Sequence, residues 1–413
     1  MRPFIFYKLP IHSRRHNFLY LCVFSIFLLS MGHWVGWDGR ETRITFVLGI
    51  IIFSLVIVAN IRLNKCKRNV LSYIFLILAC LFTKELTIGT ILSFFFPGFL
   101  VIMLNDNDRV RCFEFIYKWF AVLLIPSMFA YLIYLMGSLP SVGRIMVNSN
   151  DIYHPLWYLL RDNHLILITF PLQIQEGTSR FCSMFIEPGH LGMMCAFLLF
   201  ACRFEMKNKT TWVILAASLL TMSLTAYMLT FGGYVLSKYI RGELSVKFLF
   251  LFLLFVTCLY LFGSFYNNGN NLFNEYIIRR LQPDEENGIA GNNRVFGQID
   301  MYLITMLTDI RLMLFGYDKN TLESLLLSGS GGTGLKMFLV SHGILGFIAV
   351  FSFYICYSIM SRIRRVAFGF LLFVFLLFFQ RSCWDWLAWI ICYTYGITYY
   401  EQNVTSRKQI RKT

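Results

Sequence analysis

The sequence predicts an all-α protein that crosses a membrane many times. Of its 413 residues, 57% are hydrophobic and only 14% are charged, and the mean hydropathy is +0.62. This composition is typical of integral membrane proteins and not of soluble enzymes. Charge-free runs recur along the chain, each near the ~20 residues that a helix needs to cross ~30 Å of hydrocarbon. These runs are residues 44–61, 86–104, 119–143, 248–274, 337–360 and 366–380.

Charge distribution predicts the topology. The net charge of +15 comes from basic residues concentrated in short connections such as 62–69 and 361–365. This is the positive-inside pattern of membrane proteins, and no nucleic-acid partner is expected. Residues 18–37 lack a cleavage site, so we expect an uncleaved anchor. The charge-free stretch 210–237 has basic flanks on both sides, which predicts two short helices that turn near 223–225. About twelve spans follow, with both termini in the cytoplasm.

Two connections on the predicted outer face are much longer than the others. We expect the whole chain, 1–413, to form a single integral membrane domain, with large outer loops at 137–183 and 265–335. Long loops on a rigid scaffold tend to carry function. The apolar segment 298–315 within the second loop predicts a helix lying in the membrane interface. The 11 cysteines are scattered without a CxxC motif, so neither disulfides nor a metal site are expected.

Arginine is favoured over lysine on the predicted outer face. By this topology, ten arginines and three lysines lie outside, against fourteen arginines and ten lysines inside. Lysine suffices to set topology, whereas the planar guanidinium group donates hydrogen bonds to phosphate oxygens two at a time. The bias therefore indicates an anionic phosphate ligand outside. The alternative is a fluctuation of small counts, with some arginines paired to acidic neighbours.

The stretch RFCSMFIEPGHLGM, residues 180–193, places charges at the mouth of an apolar run. Pro188 predicts that a helix begins there, with Glu187 at its N-terminus. Capping of that helix is one interpretation of Glu187. The other is function, because an acid near a bilayer core costs roughly 3 kcal/mol and is usually offset by a partner or a water-filled cavity. Arg180 and His190 lie beside it, and His190 is either an interfacial residue or a proton carrier.

The second loop holds further candidates. Arg279 and Arg280 precede the acidic residues 284–286, which can neutralise them, whereas Arg294 has no acidic residue within five positions. The glycine-rich SGSGGTGLK lacks the GK[ST] ending of a phosphate-binding loop. His342 follows it at the outer end of a predicted span. It either donates to a backbone carbonyl or lies near Arg180 and Glu187 if the loop folds back over the helices.

Three segments, in this order and with two large outer loops, resemble the O-antigen polymerase (Wzy-like) family, which shares ancestry with O-antigen ligases. They are RFCSMFIEPGHLG, TMSLTAYMLTFGG, and NNRVFGQIDMYLITMLTDIRLMLFGYD leading to GTGLKMFLVSHGILGF. The resemblance implies a multi-pass glycosyltransferase of the bacterial inner membrane that joins lipid-linked oligosaccharide repeat units on the periplasmic face. Undecaprenyl diphosphate is the leaving group, and no metal or cofactor takes part.

The resemblance also implies roles for particular residues. Arg180 and Arg294 hold the diphosphate, with Arg279 and Arg280 as further candidates. A general base has to take the proton of the acceptor hydroxyl, and this base is Glu187 or, as a second choice, a histidine of the following span, His342. His190 is a candidate accessory group. Donor and acceptor are both lipid-linked oligosaccharides, membrane lipids surround the protein, and a chain-length regulator and a flippase are left open as partners.

Two rival functions remain. The first is the O-antigen ligase, which transfers finished polymer to lipid A core. Ligases of this superfamily tend to carry Asn or Ser after the histidine, whereas Gly343 follows His342 here, which favours the polymerase. The second is a polysaccharide transporter or flippase, which needs charges deep in several spans. Here the charged residues collect at one face, and no internal repeat is visible, so transport is disfavoured.

Overall fold

The protein is mostly α-helical, as predicted, with 75% of the described residues in helices and few in strands. An α-helix satisfies its backbone hydrogen bonds within itself. A chain surrounded by hydrocarbon requires this, because no water is there to pair with its backbone N–H and C=O groups. The computed structural model describes residues 14–83, 87–137, 139–148, 159–170, 180–245, 254, 257–258, 260–271, 274, 278–279, 282–284, 288–289, 297–318, 321–322 and 334–410.

The helices follow one another along most of the described chain. Their bounds are α1 Arg14–Ser30, α2 Arg40–Val58, α3 Lys67–Thr83, α4 Phe96–Met103, α5 Asp106–Leu135, α6 Pro188–Ala201, α7 Lys209–Leu220, α8 Leu224–Arg241, α9 Gly297–Thr308, α10 Ile310–Phe315, α11 Leu335–Ile359, α12 Arg364–Gln380 and α13 Leu387–Ile410.

Among the described residues, α2, α5 and α11 are long and apolar enough to cross a membrane. The outward side of α2 exposes Val47, Ile50 and Ile57, as expected for a surface that faces lipid. The predicted count of about twelve spans is not supported by these helix lengths. Several apolar runs form shorter helices: α6 has only 14 residues, and the run 86–104 is interrupted by a π-helical turn at Ile91–Phe95 before α4.

The predicted pair of short helices is confirmed at 210–237. The first, α7, ends at Leu220, and Ser223 accepts a hydrogen bond from the Ala226 N–H to begin α8. The helix predicted over 298–315 is instead two helices, α9 and α10. Asp309 separates them because its carboxylate accepts from the backbone N–H groups of Arg311 and Leu312, which caps α10.

Short strands add to the helices. The strands β1 (Gly143–Met146), β2 (Leu160–Asn163) and β3 (Ile168–Thr169) form an antiparallel sheet in the order β1-β2-β3. Arg144 faces Asp162 across β1 and β2, and its Nε donates to the carboxylate at 2.9 Å. A second, two-stranded ladder joins β4 (Pro283–Asp284) to β5 (Gly288–Ile289). Both sheets lie within the predicted outer loops. The sequence patterns had not predicted strands there.

The sheet lies at one end of the helices, which we call the sheet end. This end also holds the starts of α6, α11 and α13 and the ends of α1 and α12. The backbone N–H of Trp34, after α1, donates to the carbonyl of Met184, before α6, at 3.1 Å. His33 pairs with Phe185 in a β-bridge. The Nδ1 of His33 accepts a hydrogen bond from the Val35 N–H at 3.2 Å.

Helix α6 is the centre of the fold, because every described residue from Leu191 to Ala201 is completely buried. An apolar helix of this kind has neighbours on all sides. Close approach of α8 requires Gly192, where a Cβ would overlap the Cβ of Ala226 and lie 3.1 Å from the Thr221 hydroxyl. Phe200 stacks on Phe373 of α12 with ring centroids 4.6 Å apart. Charged and strongly polar side chains are therefore found only at its ends, with His190 in its first turn and Arg203 two residues after Ala201.

A buried charge network lies at the opposite end of the helices. Arg68 of α3 pairs with Glu401 of α13 at 3.3 Å, and its guanidinium group lies 4.7 Å from the ring centroid of Tyr357. Asp106 at the start of α5 lies within 4 Å of Arg68 and of Arg109, the latter completely buried. Charges buried this deeply are stable only when they are paired and hydrogen-bonded. The network therefore fixes how α3, α5 and α13 meet.

Glu401→Ala should strongly destabilise the protein, because the side chain of Arg68 is only 9% exposed and loses its nearest carboxylate. Breaking such a buried pair costs about 3–5 kcal/mol. Thermal unfolding of the purified protein in detergent measures this effect. The matched control is Asp300→Ala, which removes an exposed partner of Lys336 and should change stability by less than about 1 kcal/mol. Equal unfolding midpoints for the two variants would contradict the assignment of a structural network.

Candidate functional site

The first turn of α6 holds two of the predicted site residues, Glu187 and His190. The helix begins at Pro188, as predicted, and Glu187 occupies the N-cap position with extended backbone angles (φ −140°, ψ 148°). Its carboxylate accepts no capping hydrogen bond from the described first turn, so helix capping does not account for the side chain. Glu187 is instead directed to an arginine on another part of the chain.

That arginine is Arg381, which directly follows α12. Its Nη2 donates to the Oε2 of Glu187, and its Nη1 lies 2.6 Å from the Nε2 of His190. The side chains of Arg381 and His190 are 12% exposed, and that of Glu187 is 20% exposed. Because a guanidinium group can only donate, the Nε2 of His190 is the acceptor and its ring proton lies on Nδ1. We call Glu187, His190 and Arg381 the triad.

Two features of the local sequence allow this approach. Gly189 leaves room for the guanidinium group, since a Cβ at this position would lie 3.2 Å from the Nη2 of Arg381. Trp386 lies edge-on to His190, with ring centroids 4.7 Å apart, and so holds the imidazole between itself and Arg381. Both Arg381 and Trp386 belong to residues 381–386, the connection between α12 and α13. Within the described residues, the Nε of Arg381 has no hydrogen-bond acceptor.

Arg180 lies in the segment that leads into α6, at the same end of the fold as the triad. The charges of Arg161 and Arg180 both act on the thiol of Cys182, as does the charge of Glu187. Burial raises the pKa of this thiol to about 12, and the two arginines oppose that rise. Arg161 of β2 is completely buried, with its guanidinium group 3.7 Å from the ring centroid of Phe170. Arg161, Arg180 and Glu187 therefore all lie within electrostatic range of Cys182.

His342 lies in α11, next to a break in that helix at Gly343 (φ +63°). The turn after α10 fills the break: the N–H of Tyr317 donates to the carbonyl of Val340 at 2.8 Å. A Cβ on Gly343 would overlap the carbonyl of Leu314. Residues 314–316, the Leu-Phe-Gly near the end of one segment that carries the resemblance, are therefore packed directly against the backbone beside His342.

The 381–386 connection lies next to both His190 and His342. On one side, Arg381 and Trp386 contact His190, and on the other side Asp385 is near enough for its charge to act on the ring of His342. The predicted approach of His342 to the Glu187 region is thus indirect, through this connection.

The remaining predicted arginines are not placed in the site. Arg294 and Arg280 lie outside the described residues, so their roles stay predictions. Arg279 is exposed, and no contact in the described part of the chain links it to the triad. Sequence reasoning in turn missed Arg161 and Arg381. Both were counted in the excess of arginine on the predicted outer face, which is the signal that could have identified them.

A cleft of about 480 Å³ opens beside Ile186, on the other side of the segment that leads into α6. Because the backbone is extended at Glu187, the side chains of Ile186 and Glu187 point in opposite directions. The cleft combines an aromatic residue with carboxylates, an amide and a hydroxyl. Its lining residues include Trp37, Asp38, Glu41, Thr42 and Asn148.

Comparison with known proteins identifies no relative. No protein-family model, no curated protein and no solved structure matches the chain. Any statement of function therefore has to be argued from the arrangement of the residues.

Gly343→Ala should loosen the packing of α9 and α10 on α11, because Gly343 has both a positive φ and a backbone carbonyl where its Cβ would be. We expect faster limited proteolysis within 297–318. The matched control is Gly39→Ala, at φ +76° with no atom within 4 Å of the added Cβ, which carries the backbone cost without the overlap. If both variants are cleaved in 297–318 at the rate of the unmodified protein, the packing at Gly343 is not what holds this segment.

Proposed function

We propose that the chain is an O-antigen polymerase, a membrane glycosyltransferase that joins undecaprenyl-diphosphate-linked oligosaccharide repeat units. The observation that carries the proposal is the triad, in which a carboxylate, a histidine and an arginine meet at the start of the central helix, near Arg180. A polymerase of this kind needs a base for the acceptor hydroxyl and cations for the diphosphate. Both kinds of group are present at the sheet end.

The proposed topology places the sheet end in the periplasm of a bacterial inner membrane. The chain would cross about twelve times, with both termini cytoplasmic and two large periplasmic loops at 137–183 and 265–335. The basic connections 62–69 and 361–365 lie at the opposite end, where the positive-inside pattern puts the cytoplasm. Short helices such as α6 would serve as spans within a locally thin region or together with neighbouring helices.

The proposed reaction transfers a glycosyl group. The acceptor hydroxyl oxygen attacks the anomeric carbon of the donor, and the bond from that carbon to the diphosphate oxygen breaks. The diphosphate leaves with the bonding electrons, and Glu187 takes the hydroxyl proton. Charge grows on the diphosphate as the bond breaks, and preorganised guanidinium groups such as that of Arg180 stabilise it. Arg294, outside the described residues, is the second arginine that we propose for this role.

Arg381 has two effects on Glu187. Its positive charge keeps the carboxylate ionised, as a base must be, but a paired carboxylate is also a weaker proton acceptor. A diphosphate entering the site competes with Glu187 for the same guanidinium group, because phosphate oxygens accept two donors from arginine at once. We propose that substrate binding draws Arg381 towards the diphosphate and so frees Glu187 to act. The cleft beside Ile186 would then hold sugars of the repeat unit, whose hydroxyl groups match its polar lining.

Deleting the gene in its own host should leave lipid A core that carries a single repeat unit, and a plasmid copy should restore the ladder of longer chains. Gel analysis of surface lipopolysaccharide is the measurement. Core without any repeat, together with accumulated lipid-linked polymer, would identify a ligase. An unchanged ladder would contradict both functions and favour a transporter.

Glu187→Gln should abolish polymer formation at a normal protein level, because the amide keeps most of the shape but cannot accept the proton. Loss of a general base typically costs 10²–10⁴-fold in rate. The ladder from a plasmid-borne variant in the deletion strain, with protein level followed by immunoblot, measures this effect. The matched control is Asp162→Asn, an acid at the same end that pairs with the exposed Arg144. A full ladder from Glu187→Gln would rule out Glu187 as the base.

A further inference from the structure

A cluster of basic residues lies at the opposite end of the central helix from the triad. It consists of Arg203, two residues after the end of α6, and of Lys238 and Arg241 in the last turn of α8. The contacts of Tyr400, on α13, bring these residues together: Arg203 lies 5.4 Å from its ring centroid, and the Ser237 hydroxyl of α8 lies 3.3 Å from its hydroxyl. The Nε of Arg241 donates to the carbonyl of the same Ser237 at 3.2 Å. We call Arg203, Lys238 and Arg241 the basic cluster.

Arg203 is buried without enough acceptors among the described residues. The residue is only 4% exposed, and its Nε and Nη1 have no hydrogen-bond acceptor in the described part of the chain. A buried charged group normally has its donors satisfied, because burying an unsatisfied donor is unfavourable. Two unused donors on one guanidinium group therefore indicate a ligand with acceptor oxygens.

The charge of the surroundings indicates the same kind of ligand. Glu243 accepts from Lys238 at 2.9 Å and lies 3.5 Å from Arg241, and the charge of Arg203 also acts on it. The hydrogen bond from Lys238 and the nearby arginines lower the pKa of this carboxyl. Three cations thus share Glu243, whose side chain is 47% exposed and can be displaced.

We propose that the basic cluster binds the phosphate group of an anionic phospholipid. Guanidinium groups match phosphate oxygens geometrically, and basic pockets between membrane helices on the cytoplasmic side are typical sites for anionic head groups. Exposed apolar side chains beside the cluster favour a lipid over free phosphate. Tyr239 and Leu244 flank it and are 45% and 41% exposed, so they can lie along an acyl chain. This site is separate from the triad and does not depend on the proposed polymerase activity.

Native mass spectrometry of the full-length protein in a neutral detergent tests the proposal. The probes are phosphatidylglycerol, phosphatidylethanolamine and inorganic phosphate at equal concentrations. We expect retained phosphatidylglycerol and little of the other two. The double variant Arg203→Gln/Arg241→Gln should weaken phosphatidylglycerol binding about tenfold or more, since two charge-assisted hydrogen-bonding groups are lost. The matched control Arg364→Gln/Arg365→Gln removes the same charge from exposed positions at the same end and should bind normally.

A third variant keeps the test decisive if loss of the buried Arg203 prevents folding. Glu243→Gln removes the competing carboxylate and retains all three cations, so it should bind phosphatidylglycerol more tightly than the unmodified protein. Undiminished binding by a folded double variant overturns the proposal, as does weaker or unchanged binding by Glu243→Gln. Equal loss in the Arg364→Gln/Arg365→Gln control would show general attraction to a basic surface. Binding of inorganic phosphate as strong as that of phosphatidylglycerol would show an anion site that does not select lipid.

Discussion

Complete burial of α6 is the constraint on which the rest of the structure depends. A helix that is apolar on every side needs neighbours all round, and Gly192 allows α8 to approach closely enough to provide one of them. Such a helix can carry polar side chains only where it ends. Glu187 and His190 occupy its first turn, and Arg203 follows its last. The triad and the basic cluster are therefore the two places where the central helix meets partners that are charged.

The charges at the two ends of the fold are balanced differently. The network around Arg68 and Glu401 joins three helices through several carboxylate contacts, so that each charge compensates another, and its role is to fix the packing of the helices. In the triad, one guanidinium group serves both Glu187 and His190 and still has an unused Nε donor among the described residues. An arginine that is already ordered but not fully used can accept an anionic ligand without losing all of its existing contacts. A buried Nε without an acceptor among the described residues is shared by Arg109 of the network, so it does not by itself distinguish the two. What distinguishes the triad is that a single guanidinium group serves both a carboxylate and a histidine.

Sequence patterns are informative where the interactions are local. Pro188 and the apolar run after it predicted the start of α6, and the basic flanks of 210–237 predicted the break between α7 and α8. The partner of Glu187 was not predictable, because Arg381 lies 194 positions away and reaches it through a connection without a motif. The lengths of the described helices do not support the predicted number of spans, for a related reason. Hydropathy measures how apolar a run is, but the π-helical turn before α4 and the early end of α6 depend on packing against other helices.

The 381–386 connection links the two parts of the chain that the sequence identified separately. Arg381 and Trp386 hold the first turn of α6, while Asp385 acts on His342, whose neighbour Gly343 receives the turn after α10. A shift of α9 and α10 against α11 would move the backbone at His342 and thus its position relative to Asp385. Because Arg381 and Asp385 belong to one short segment, such a shift would also change how Arg381 is presented to Glu187. In the proposed polymerase, substrate binding by the second loop can in this way change the position of Arg381 relative to Glu187, the proposed base. No direct contact between His342 and Glu187 is needed for this effect.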